Sequence, residues 1–190
     1  MTSGSLFGLG GAGWSGHPDG DRPDTESARA TDSAVFRPAS RRRDFGDTRV
    51  FLRLRLTGLV TTARTPAQPY DGVHLWLRLH SEQECYAVSA VRRDGQVVVK
   101  RKTPGGPVNG GTYVTLATTS AAFPPDAWTE AVATATDLPD RRVRITLELA
   151  GHRVLGVTDA SPGGLYKPGA VGIRGDNAEF LFRDFTAGPD

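Results

Sequence analysis

The sequence predicts an all-β, two-sheet antiparallel sandwich, and three observations carry that reading. Hydrophobic residues make up 38% of the 190 residues and fall in short runs, with 23 Gly and 13 Pro between them. Several of those runs alternate apolar and polar residues with a period of two, the spacing of a half-buried strand. No segment carries the 3.6-residue periodicity of a helix of convincing length. A chain this long supports one substantial core, whereas two independent cores would leave each half marginal, so one domain over 1–190 is expected.

Taken in order, Ser5 to Phe7 and Ala34 to Arg37 are short apolar segments flanking residues 8–32. That intervening stretch is rich in Gly, Asp and Pro and reads as a long surface loop. From Thr48, Val50, Leu52, Leu54 and Leu56 point one way and Phe51, Arg53, Arg55 and Thr57 the other. The pattern repeats most clearly with Val73, Leu75, Leu77 and Leu79 against His74, Trp76, Arg78 and His80. Residues 85–92 and 96–103 flank Asp94-Gly95, a hairpin signal because both residue types tolerate positive φ. A loop at Pro104-Gly105-Gly106-Pro107 and Asn109-Gly110-Gly111 precedes a strand over 112–118. Strands are then expected at 128–135, 143–149, 154–158, 169–174 and 178–186, the last pair joined by Gly175-Asp176-Asn177. Roughly ten or more short strands with uneven spacing and long connections fit a sandwich better than an even up-and-down barrel.

Composition bounds the partners. A formal charge of +2 is too small to imply nucleic acid. No apolar stretch approaches the length of a bilayer-spanning helix, and the N-terminal residues lack the basic and apolar regions of an export signal. As written, this is the pattern of a cytoplasmic chain with no membrane partner. The one cysteine, Cys85, excludes an internal disulfide and leaves the redox compartment and the oligomeric state open.

Three stretches together resemble a known family: Trp128 opening a strand, the hairpin from Arg144 to Thr158 with Ala150-Gly151-His152 at its tip, and the closing run from Gly169 to Phe180. They are similar to the C-terminal half of concanavalin A-like lectin and glucanase jelly rolls, laminin-G-like modules in particular. The resemblance implies a jelly roll over the whole chain, often extracellular in relatives, and a carbohydrate ligand on a concave sheet. This superfold also hosts hydrolases, lyases and plain interaction domains, so the resemblance constrains fold more than activity.

The residues themselves offer several constellations. A glycosidase needs two carboxylates flanking the scissile bond, and the Glu-x-Asp-x-x-Glu strand motif of the endoglucanase branch is absent; Glu82, Glu84, Glu130, Glu148 and Glu179 are scattered. If Val73, Leu75 and Leu77 face the core, His74, Trp76 and Arg78 share the other face, with Arg53 and Arg55 from an adjoining strand and Tyr86, Arg92, Lys100 and Lys102 from the hairpin. Rings that stack on sugar faces and cations that hold carboxylate, sulfate or hydroxyl oxygens give that face the chemistry of an acidic-glycan site. The alternative reading of the same residues is a solvated outer face covered by long Arg and Lys stems.

An enzyme on this face would be a polysaccharide lyase built on His74, Tyr86 and Lys100, in which the Tyr or the His abstracts the proton α to a uronate carboxylate that Arg neutralises, or an atypical glycoside hydrolase. The Arg-Glu-x-Arg and Gln-x-His motifs of the alginate-lyase branch are absent. No cofactor is required by these readings, although Asp176 and Asn177, with Asp159 or Asp184, offer oxygen ligands for calcium. A tight turn in which the Asp and Asn side chains bond their own backbone explains the same pair without an ion. The expectation is therefore a carbohydrate-binding module without catalysis, with the enzyme as alternative and a structural or protein-interaction domain as third reading.

Overall fold

The computed structural model describes residues 6–17, 34–63, 65–161 and 164–190. Thirteen strands are found among them: β1 (Phe7–Leu9), β2 (Ala12–Trp14), β3 (Val35–Phe36), β4 (Thr48–Leu59), β5 (Gly72–Ser81), β6 (Glu84–Arg92), β7 (Gln96–Val108), β8 (Gly111–Ser120), β9 (Thr129–Asp137), β10 (Val143–Leu149), β11 (His152–Asp159), β12 (Ala170–Asp176) and β13 (Ala178–Gly188). They form a seven-stranded sheet, β1-β2-β13-β4-β9-β10-β11, and a six-stranded sheet, β3-β12-β5-β6-β7-β8. Every strand pairing is antiparallel. The predicted all-β sandwich is the observed fold. No helix among the described residues is long and apolar enough to cross a membrane.

Alternation places the core. Val50, Leu52 and Leu54 of β4, Val73, Leu75 and Leu77 of β5, Val88 of β6 and Ile145 and Leu147 of β10 are inaccessible to solvent and meet in one cluster between the sheets. Burying each such side chain stabilises the fold by roughly 1.5–3 kcal/mol, which fixes the register because a slip of one residue would turn the whole set outward. Phe36, Phe180 and Phe182 add an aromatic group at one end, with ring centroids 5.5–6.2 Å apart.

Three expectations are corrected. Residues 7–14, within or beside the stretch read as a loop, form the β1–β2 hairpin, whose Gly10-Gly11 turn has positive φ at both residues, as a two-residue turn requires. Strands of three residues are too short for alternation to betray them; β2 holds its place through backbone pairing to β13, and β1 through pairing to β2. The rest of that predicted loop, residues 18–32, lies outside the described residues. The loop expected at Pro104 to Gly111 shrinks to Asn109-Gly110, because β7 continues through Val108 and pairs Pro104 and Val108 with Gly111 around a bulge.

The third correction concerns β5, which does not alternate to its end. Arg78 adopts φ 49°, and the pairing with β6 shifts between Leu77 and Ser81. Beyond this bulge the faces exchange: Leu79 packs on the outer side with Trp76, Cys85, Ala87 and Ala170. The start of β12 crosses so close that a Cβ on Gly169 would lie 2.6 Å from the Arg78 carbonyl carbon, leaving glycine as the residue that fits.

Phe180→Ala should cost about 3–5 kcal/mol, since it empties a fully buried ring site between the sheets. Urea unfolding followed by far-UV circular dichroism measures it, and a loss below about 1 kcal/mol would contradict the packing described here.

Candidate functional site

Pairing register brings two transverse rows together on the outer face of the six-stranded sheet. Arg174 of β12 lies opposite His74 of β5, which lies opposite Ser89 of β6. In the adjacent row Gly172, Trp76, Ala87 and Lys100 follow one another across β12, β5, β6 and β7. These rows floor a cavity of about 290 Å³. Asp176 and Arg92 close one side, and Tyr70, Val108 and Tyr113 form the rest of its lining.

The floor is a hydrogen-bonded chain. The Arg174 fork donates from Nε and Nη2 to the two Asp176 oxygens at 2.7 and 2.6 Å. His74 Nε2 lies 3.2 Å from Asp176 Oδ2, and its Nδ1 lies 2.8 Å from Ser89 Oγ. Burial pushes His74 towards its neutral form, against the opposing pull of Asp176. Burial also works against the charge on Asp176, but Arg174 and His74 outweigh it and hold the carboxyl well below the usual range. An ionised Asp176 only accepts, so neutral His74 carries its proton on Nε2, and Nδ1 accepts the Ser89 hydroxyl proton.

Around that floor the cations differ in their engagement. Arg92 forms a two-point pair with Asp94 at 3.0 and 2.5 Å. Lys100 has no carboxylate within ion-pair distance among the described residues; its Nζ lies 5.6 Å from the Tyr113 ring centroid, and burial followed by the Arg92 charge lowers its pKa. Trp76 is nearly buried, and its indole N–H has no hydrogen-bond acceptor among the described residues.

Of the residues read from sequence, His74, Trp76, Arg92 and Lys100 are brought together here. Lys102 lies beside them but buried under Tyr113, its Nζ 5.1 Å from the ring centroid and its pKa pushed down to about 8, chiefly by burial. Four others lie elsewhere. Arg53 and Arg55 sit on β4 in the opposite sheet, engaged by Glu130 and Asp126. Arg78 is swung off the face by its bulge and donates to Asp137, Asp47 and the carbonyls of Gly46, Leu165 and Tyr166.

Tyr86 is opposite Leu77 and therefore in the core, where its hydroxyl donates to Asp159 at 2.8 Å. Burial raises its pKa strongly. The His74 and Tyr86 proton-abstraction pair is thus divided between the two faces of one sheet.

The calcium ligands do not assemble either. Both Asp176 oxygens are taken by Arg174 and His74, while Asn177, at φ 43°, accepts from Ala34 N and donates to Asp71 Oδ1. Asp159 serves Tyr86 and Arg101, and Asp184 lies beside Arg53. Among the described residues no cluster of three or more His, Cys, Asp or Glu side chains is arranged for a metal ion. Cys85 is buried, and its thiol is pushed up to about 12 by that burial, which suppresses the nucleophilic thiolate.

Tyr70, Ser89, Tyr113 and Arg174 were not singled out in the sequence. Ser89 and Arg174 follow from registering β6 and β12 against His74, and Tyr113 from its place opposite Lys102.

No family model and no curated protein matches the sequence. Solved structures do. The carbohydrate binding module CBM66 from Bacillus subtilis superposes with a TM-score of 0.66 at 11% identity, over 98% of this chain and 92% of that one. The fold is shared. A Bacillus subtilis protein of unknown function with a galectin-like fold matches with a TM-score of 0.63 at 12% identity, over 97% and 86% of the two chains. The Emp46p carbohydrate recognition domain, in its metal-free form, gives 0.57 at 9% identity over 97% and 84%.

Unfolding returns His74 to an ordinary pKa of about 6.5, above its folded value, so between the two values the unfolded chain binds the extra proton. Its contribution to stability is complete above about pH 6.5 and drains as pH falls towards the folded value. Urea midpoints should therefore drop between pH 7 and pH 5, and His74→Gln should flatten that slope; an unchanged slope in the variant would remove His74 from the account.

Proposed function

We propose that this chain is a carbohydrate-binding module whose ligand occupies the cavity over β5, β6 and β12, with preference for a sugar bearing an acidic group. The observation that carries the reading is the combination of rings and an unengaged cation in one recess. Tyr113 and Tyr70 line the recess, and aromatic rings are the side chains that stack on the C–H surface of a sugar ring. Ser89 is a polar group suited to fixing a hydroxyl, one of the few polar contacts that small-ligand sites use to set orientation.

Lys100 carries the preference for acid. Arg92 and Arg174 already hold Asp94 and Asp176, so the ammonium of Lys100 is the cation of the lining left to meet a carboxylate or sulfate. Its partial burial strengthens such a contact, because water screens it less. The solved structures that share the fold support the carbohydrate class through two of their own ligand classes, a carbohydrate binding module and a carbohydrate recognition domain.

Calorimetric titration with uronic-acid or sulfated oligosaccharides and their neutral counterparts tests this. Lys100→Met should weaken the acidic series about tenfold, or about 1.4 kcal/mol, and leave the neutral series within about twofold. Tyr113→Ala should weaken both. Failure of well-folded protein to bind either series would sink the proposal.

A further inference from the structure

We propose that the same cavity is also an acyl-transfer site, in which Ser89 is the nucleophile, His74 its general base and an ester-bearing ligand the substrate. Serine, imidazole and carboxylate stand in series here, with Ser89 Oγ 2.8 Å from His74 Nδ1 and His74 Nε2 3.2 Å from Asp176. Both distances are within hydrogen-bond reach, the arrangement that activates a hydroxyl by an adjacent oriented base. The imidazole is turned relative to the usual arrangement, with Nδ1 towards serine, and the same proton logic holds. Asp176 accepts from Nε2–H, which leaves the Nδ1 lone pair facing the Ser89 hydroxyl.

Two further observations separate this from a network that merely satisfies buried polar groups. Ser89, His74 and Asp176 all line the cavity in which a ligand would sit. Lys100 lines the same cavity and brings to it a cation without a carboxylate partner among the described residues, the kind of charge that stabilises a developing oxyanion. The charged groups acting on His74 are Asp176, Arg174 and Arg92, and the Arg174 fork fixes Asp176 in place. Asp176 is a positioning residue: it holds the ring and its tautomer through Nε2.

The chemistry balances with water as co-reactant. Ser89 Oγ adds to the ester carbonyl carbon while its proton passes to His74 Nδ1. The intermediate collapses, the ester C–O bond breaks, and the departing alcohol oxygen takes that proton. Water then adds to the acyl carbon, giving its proton to His74, and the second collapse releases the carboxylic acid as the proton returns to Ser89 Oγ. The identification of the departing alcohol as a sugar hydroxyl rests on the carbohydrate reading; the nucleophile does not.

A fluorophosphonate probe, which contains no sugar, tests the nucleophile on the full chain independently of glycan binding, and 4-nitrophenyl acetate and an O-acetylated oligosaccharide test turnover. The expected result is labelling at Ser89 by peptide mass spectrometry, with acetate release that Ser89→Ala reduces to background and His74→Gln reduces about 100-fold. Asp176→Asn removes the charge that favours protonated His74, so the acid limb of the pH–rate profile should move to lower pH; a merely structural role would leave it in place. Absence of labelling in folded wild-type protein, or labelling and turnover that survive Ser89→Ala, would overturn the proposal. Labelling without glycan binding would keep the acyl-transfer site and remove the sugar.

Discussion

The arrangement of this molecule depends on the obligation of β5 to bury one face. Val73, Leu75 and Leu77 are inaccessible to solvent between the sheets, and because side chains alternate, their burial commits His74 and Trp76 to the opposite side. The neighbouring strands inherit that commitment through the hydrogen-bond ladder. Once β6 and β12 pair with β5, Ser89 and Arg174 have no choice but to flank His74. The polar floor of the cavity is thus a consequence of hydrophobic registration. No loop is needed to bring its members together.

A polar group on such a floor is costly unless it is paired, and the chain Arg174–Asp176–His74–Ser89 pairs each member in turn. The guanidinium and carboxylate neutralise one another, and this allows the imidazole to stay uncharged beside them. The adjacent row is less fully matched, with Lys100 resting near an aromatic ring and the Trp76 indole N–H lacking an acceptor among the described residues.

Much of the sandwich was legible in the sequence because alternation and turn chemistry are local signals. The Asp94-Gly95 hairpin and the faces of β4 and β10 follow from neighbouring residues alone. Half-legible was the site. His74, Trp76 and Lys100 were reached by extending a period of two; Arg92 joins them only because a bulge in the β5–β6 pairing between Val73 and His74 breaks that period, and Arg78 was lost because a single residue at positive φ ends it. Tyr86 could be placed only by knowing which residue of β5 it opposes, and Arg53 and Arg55 only by knowing that β4 belongs to the other sheet. Those are long-range facts that no window of residues contains. The β1–β2 hairpin was missed for a different reason: its strands have three residues each, and β2 is held by a neighbour 165 or more positions away, at Leu181 and Phe182.

Two parts of the cavity lining differ in what a mutation there would disturb. The floor is built from the middle of strands whose reverse faces form the core, so changing its backbone register would unfold the protein. Val108 and Tyr113 come instead from the end of the β7–β8 hairpin, around the Asn109-Gly110 turn. Insertions, deletions and substitutions at that turn alter the rim while leaving the interior untouched. The hairpin tip can therefore vary in sequence and length above a fixed chemical floor.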